Sequence, residues 1–378
     1  MTARRIFAVI GGMLLLAGAG ASVGLASPTP VRGLYQFMGQ VDSQDASNPQ
    51  IDGALLMFTW TQLEPTRGGY NWNAVDAAIQ PWRQAGKKFA LRVQTASSVK
   101  YNAPWNANTN GNATPAWVYS DGVRSVQETD GSILPVYWDP AYQQDLSAFV
   151  TALAGRYNSS PDLTFVEAAS GFDGESFVDG ISNPNKLALW QSVGYTDTVW
   201  ENTAFAIWDL YRHAFSVPVA PELKGGQISG ANIFGPLAEH AIAAGMWANH
   251  NGLETSAYGG TYASELSKAG TTTAAVLEEK AAVSSTTDLL AEIKNAIAVH
   301  AEIVLVYPQE VSNSAWLATL ATARAEIDGA TMPSASPSPA PSPTPAPLPS
   351  PVSISNFPCT VQFTSGPRTG HCSGTFQP

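Results

Sequence analysis

Ala54-Leu-Leu-Met-Phe-Thr-Trp60 is followed by a turn-rich stretch to Trp72, a helical stretch from Asn73 to Ala85, and Phe89-Ala-Leu-Arg-Val-Gln94. The first and last runs have strand length and are continuously apolar, the pattern of a strand buried on both faces. Between them Val75, Ile79 and Trp82 fall on one helical face, and Gly86 supplies the stop. The whole reads as one β-α-β unit, and working outward the pattern recurs. Further strand-like runs are Leu34–Gln40, Leu163–Ala169, Val217–Pro221, Met246–Asn249, Thr273–Leu277 and Ile303–Tyr307. Helical patterns follow most of them: Asp139–Tyr157 (an Asp cap with Pro at the first turn), Thr196–Phe215, Gly230–Ala244, Thr286–Ala298 and Asn313–Ile327. Eight strands alternating with helices predict an α/β fold, a (β/α)8 TIM barrel over residues 27–330. A doubly wound open sheet is the competing architecture and would need fewer strands.

The ends of the chain differ from this body. Residues 1–26 read as a signal peptide, with Arg4 and Arg5 before the apolar Ile6–Leu16 and small residues before a cut near Ser27. Cleavage removes two arginines and no acid, taking the net charge from −11 to −13. So acidic a chain has no general electrostatic attraction to nucleic acid or anionic membranes, and no later segment is apolar enough for stable membrane insertion. The expected location is therefore secreted and extracellular, with cell-surface association as a variant. Residues 331–352 form a Pro/Ser/Ala linker, in which nine prolines among 22 residues favour extended polyproline II. Residues 353–378 hold the two cysteines, Cys359 and Cys372, and read as a short hairpin closed by one disulfide in oxidising surroundings.

The segment from Trp60 through Gln94 carries a more specific signal. It resembles the second and third β/α units of retaining (β/α)8 glycoside hydrolases, the clan that includes family 5 cellulases and family 42 β-galactosidases. The shared pattern is a strand ending in Trp60, then Leu63-Glu-Pro65, Gly68/Gly69-Tyr70-Asn-Trp72, a helix carrying Asp76, and Ala85-Gly-Lys-Lys88 into the next strand. The close match spans about forty residues. The resemblance implies hydrolysis of O-glycosidic bonds in an oligo- or polysaccharide by double displacement, with one Glu after the fourth strand and one after the seventh, and no cofactor.

That chemistry needs one carboxyl protonated toward the leaving oxygen and one ionised for attack. After the fourth strand, Gly171-Phe-Asp-Gly-Glu175 resembles the acid/base position, although the clan's commoner motif there is Asn-Glu. Glu175 is the candidate, and Glu167, within the strand, is its rival. The seventh run ends in Glu278-Glu279. Neighbours on an extended chain point opposite ways, so only one can face the axis. Glu278 is taken as the nucleophile, Glu279 as its alternative and Glu310 as the fallback near the eighth strand. Substrate-binding candidates lie at strand ends: Trp60 for stacking on a sugar, Arg92 as an inward charge needing a partner, then Gln94, Glu222, Asn249, His250 and Tyr307. Aromatic residues in the long stretch 95–138, namely Tyr101, Trp105, Trp117, Tyr119, Tyr137 and Trp138, are expected in part to line a groove.

Other chemistries lack their motifs. There is no His-x-His or clustered His/Cys set for a metal, no Gly-x-Ser-x-Gly elbow and no phosphate-binding Gly-x-x-x-x-Gly-Lys-Ser/Thr. The reading from a different class is a barrel that binds glycan without cleaving it.

Overall fold

A computed structural model describes residues 32–97 and 112–330, and by backbone alone 352–363 and 366–376. The expected signal peptide, most of the linker, and Tyr101 and Trp105 lie outside the described residues. Seven parallel strands form one curled sheet: β1 (Gly33–Gln36), β2 (Gly53–Thr59), β3 (Lys88–Gln94), β4 (Leu163–Glu167), β5 (Ala248–Leu253), β6 (Ala275–Glu279) and β7 (Ala301–Val306). Their order is β4-β3-β2-β1-β7-β6-β5, so β4 and β5 are the edges.

The segment 217–223 joins those edges. Val219 bridges Val166 on β4, and Glu222 bridges Asn249 on β5, both parallel. The amide of Ala220 donates to Val166 (2.9 Å), and the amides of Trp247 and Asn249 donate to Val219 (2.9 Å) and Pro221 (3.1 Å). The fifth expected strand thus occupies its place in the ring without forming a regular ladder. Pro218 and Pro221 have no N–H to donate, which limits the pairing to single bridges. The result is a TIM-barrel-like α/β fold.

Helices cover the outside: α1 (Trp72–Gln84), α2 (Pro140–Tyr157), α3 (Asp197–Ala214), α4 (Phe234–Ala243), α5 (Gly260–Thr272), α6 (Thr286–Ala298) and α7 (Leu317–Gly329). Local chemistry sets their ends. Asp139 caps α2 by accepting from Ala141 N, Thr196 caps α3 from Val199 N, and Ser285 caps α6 from Asp288 N. Gly86, at φ +71°, turns the chain out of α1. Helix α5 was not expected from the sequence; because it runs to Thr272, the strand after it starts at Ala275 and takes in both Glu278 and Glu279.

The period-two alternation of the strands separates two cores. Tyr35, Leu55, Met57, Ala90, Phe165, Ala220, Val276, Ile303 and Leu305 pack inside the ring. Leu34, Ala54, Leu56, Phe58, Leu91, Val166, Leu277 and Val304 face the helices. In the tail, Val352–Phe363 pairs antiparallel with Gly366–Phe376, with Cys359 opposite Gly370 and Cys372 opposite Phe357.

Candidate active site

Extending the inner face two residues beyond the apolar layer predicts what caps it. Ala90 leads to Arg92, Phe165 to Glu167, Ala220 to Glu222 and Val276 to Glu278. These four side chains meet at the C-terminal end of the ring. Arg92, 3% exposed, pairs through Nε with Glu167, through Nη2 with Glu222 and through Nη1 with Glu278 at 3.4 Å. One guanidinium therefore serves three buried carboxylates. Burial pushes Glu167 up to about 7 against the pull of Arg92. It pushes Glu278 up to about 8, again opposed by Arg92 and reinforced by Glu167 and Glu175. The carboxylates in turn hold the charge on Arg92 despite its burial. Glu167, a rival for proton donor, is fully buried within this layer.

Glu175 reaches the same region from the loop after β4. That loop folds tightly: a Cβ on Gly171 would lie 2.2 Å from the Phe177 carbonyl, Asp173 sits at φ +53°, and Gly174 at φ +89°. Asp173 N donates to Ala96 O (2.9 Å), and Gln94 Nε2 donates to Asp173 O (2.7 Å), pinning the loop on the end of β3. Glu175 accepts from Asn251 Nδ2 at 2.8 Å and pairs with Lys224 Nζ at 2.8 Å. The side chains of Glu175 and Glu278 keep 14% and 6% of their surface exposed. The carboxylate after β4 thus stands near enough to the one from β6 for its charge to act on it.

A cleft of about 560 Å³ opens beside Glu175, within the roughly 300–1,000 Å³ typical of ligand sites. Its lining includes Lys224 and Asn251, the two partners of Glu175, with His250, Tyr258 and Tyr262. His250 Nδ1 donates to Leu223 O at 2.9 Å, and burial lowers the ring to about 4, so it is neutral near pH 7.

Several expected site residues stand elsewhere. Glu279 shares the outer face of Leu277 and is wholly buried. It faces Glu310, and both carboxylates accept from Tyr307 N (3.1 and 3.3 Å), with Glu310 also accepting from Val283 N at 2.7 Å. Burial and Glu310 hold Glu279 well above the usual carboxylate range. This pair fastens the segments after β6 and β7 together and does not join the mouth. Trp60 is a correction. It begins a helical turn instead of ending a strand, and is fully buried against Trp117, Tyr142 and Phe149. Its indole N–H donates to Glu64 at 2.8 Å, so neither face is free for a sugar. Gln94 is spent on the Asp173 loop, and Glu222 on Arg92. Asn249 is buried on the inner face next to Glu167, and Tyr307 packs edge-on to Phe37 (5.2 Å). The described aromatics of the stretch 95–138 mainly pack inward: Tyr137 is buried against Trp190 and Trp200, and Trp138 lies against Trp190. The groove expected from them is not formed by these rings. Lys224, Tyr258 and Tyr262 were missed; for Lys224 the signal was there, two residues beyond Glu222.

The fold is thus TIM-barrel-like, with carboxylates gathered at the C-terminal end of its ring. Residues 51–197 match the family described as Glyco_hydro_42: Beta-galactosidase. The catalytic domain of β-amylase from Paenibacillus polymyxa is similar in structure, with a TM-score of 0.62 at 10% identity over 80% of this chain and 99% of that one. β-Galactosidases from Marinomonas ef1 (TM-score 0.50, 12% identity) and Halorubrum lacusprofundi (0.51, 13%) each align over 78% of this chain. The alignments span 59% and 58% of those two enzymes. No curated protein matches the chain. The family match supports a glycosidase, and the solved structures share the fold.

Proposed function

We propose that the protein is an exported hydrolase of O-glycosidic bonds in an oligo- or polysaccharide, working by double displacement. Glu175 donates a proton to the leaving oxygen, and Glu278 attacks the anomeric carbon; Glu175 then takes a proton from the water that releases the sugar. The carrying observation is that Glu175 and Glu278, from distant parts of the chain, stand near enough for one charge to act on the other, with the partners of Glu175 lining the cleft. Arg92 Nη1 faces Glu278 and favours its ionised form, the form that attacks.

One observation favours exchanged roles. The Lys224 cation sits on Glu175, while burial keeps the proton on Glu278 up to about pH 8. A buried carboxyl that keeps its proton is suited to act as the acid. The test is a panel of aryl glycosides and plain polysaccharides with the wild type, Glu175→Ala and Glu278→Ala. Under the proposed roles, azide restores Glu278→Ala as the inverted product, and Glu175→Ala loses substrates with poor leaving groups most. The opposite pattern exchanges the roles. Wild-type protein that binds glycan but releases no reducing sugar defeats the enzymatic reading in favour of a binding barrel.

A further inference from the structure

Glu167 and Glu222 are buried carboxylates to which the proposed reaction gives no task. Glu167 is wholly buried and Glu222 is 1% exposed. One stands on β4 and the other on the segment 217–223, and both pair with Arg92. The same guanidinium reaches Glu278 through Nη1 at 3.4 Å, the loosest of its three pairings. A guanidinium offers several N–H donors but a single charge, so the three carboxylates compete for it. Resting on the reading of Glu278 as a reacting group, we infer that Glu167 and Glu222 are positioning residues, which hold the Arg92 fork in place and, by drawing on its charge, govern when Glu278 gives up its proton.

The other surroundings of Glu278 define what these two can change. Arg92 and Lys224 favour its ionised form, whereas Glu167 and Glu175 oppose it. Glu222 acts through Arg92. On the flanking strands, β7 sets Leu305 opposite Glu278, and β5 carries Asn249, Asn251 and a His250 that is neutral near pH 7. Strands β1 and β2 turn apolar Phe37 and Met57 to the interior. Burial pushes Glu167 up to about 7, so it is largely ionised where Glu278, pushed up to about 8, exchanges its proton. Neutralising Glu167 withdraws a repulsion from Glu278 and leaves Arg92 with one anion fewer. Neutralising Glu222 frees Arg92 in the same way. Both changes make the ionised form of Glu278 easier to reach.

The test follows kcat/KM against pH for an aryl glycoside with the wild type, Glu167→Gln, Glu222→Gln and Glu222→Asp. Gln keeps the size of Glu and removes its charge. The wild-type inflection near pH 8 should fall by about one pH unit in each Gln variant. Glu222→Asp, which keeps the charge, should return it toward the wild-type position. Side chains that only fill space would lower kcat or stability and leave the inflection where it was, and that result overturns the inference. A loss in Glu167→Gln confined to substrates with poor leaving groups would make Glu167 the proton donor and overturn it as well. Carboxyl-carbon NMR titration of the wild type needs no variant to fold: Glu278 and Glu167 should titrate in coupled steps, and independent single steps would refute the inference. An inflection at which activity rises with pH belongs to a nucleophile and one at which it falls to a donor, and its displacement tests the inference in either case. Wild-type protein that cleaves no glycoside removes the proposed function, while the NMR titration still judges the carboxylate cluster.

Discussion

Replacing Arg92 by Met removes the one cation, among the described residues, that is ion-paired with the three buried carboxylates Glu167, Glu222 and Glu278, and keeps a long apolar side chain in its place. Removing one partner from a buried ion pair costs about 3–5 kcal/mol, because the remaining charge stays buried without compensation. A domain is stable by about 5–15 kcal/mol, so near pH 8 the loss should be a large share of the total. The size of the loss should depend on pH. Glu167 and Glu278 have folded pKa values near 7 and 8, above the ordinary carboxylate range. A raised pKa stabilises the folded state fully below the unfolded value and loses that contribution as pH rises through the folded one. At pH 5 both groups carry protons in the wild type, and Arg92→Met then exposes fewer bare charges. The destabilisation should accordingly be greatest at pH 8 and clearly smaller at pH 5. Urea titrations followed by tryptophan fluorescence at pH 5, 6.5 and 8 measure this directly, with Arg92→Lys as a variant that keeps the charge but not the planar fork. A loss under about 1 kcal/mol at pH 8, or one independent of pH, would refute the reasoning that these carboxylates depend on Arg92.

Three further outcomes follow from the geometry. Glu278→Gln should abolish turnover while Glu279→Gln leaves it largely intact, because the two side chains lie on opposite faces of β6; comparable losses in kcat would sink the assignment. The kcat/KM profile of the wild type should show an acid limb near pH 8, rising as Glu278 ionises, if Glu278 is the nucleophile; a fall in activity above pH 8 would instead mark it as the proton donor. Trp60→Ala should cost about 3–5 kcal/mol of stability as a large buried ring is lost, with KM little changed among molecules that fold; a selective rise in KM would return Trp60 to the binding site.

Much of the architecture was legible in residue order alone. The continuous apolar runs at Ala54–Trp60 and Phe89–Gln94 reported buried parallel strands, and Val75, Ile79 and Trp82 reported the helix between them, because burial imposes periods of 2 and 3.6 on the chain itself. Alternation also required that only one of Glu278 and Glu279 face the axis. What alternation alone left open was which one; in the structure Glu278 continues the inner row from Val276 and Glu279 the outer row from Leu277. Trp60 was misjudged for a similar reason: a strand-end ring can turn toward solvent or core, and only the packing of Trp117, Tyr142 and Phe149 decides. The joining of Arg92 to Glu167, Glu222 and Glu278, and of Glu175 to Lys224 and Asn251, belongs to the tertiary structure alone. Those groups lie on different strands and loops, and only closure of the ring brings their charges within a few ångströms, where burial and mutual repulsion set which of them holds a proton.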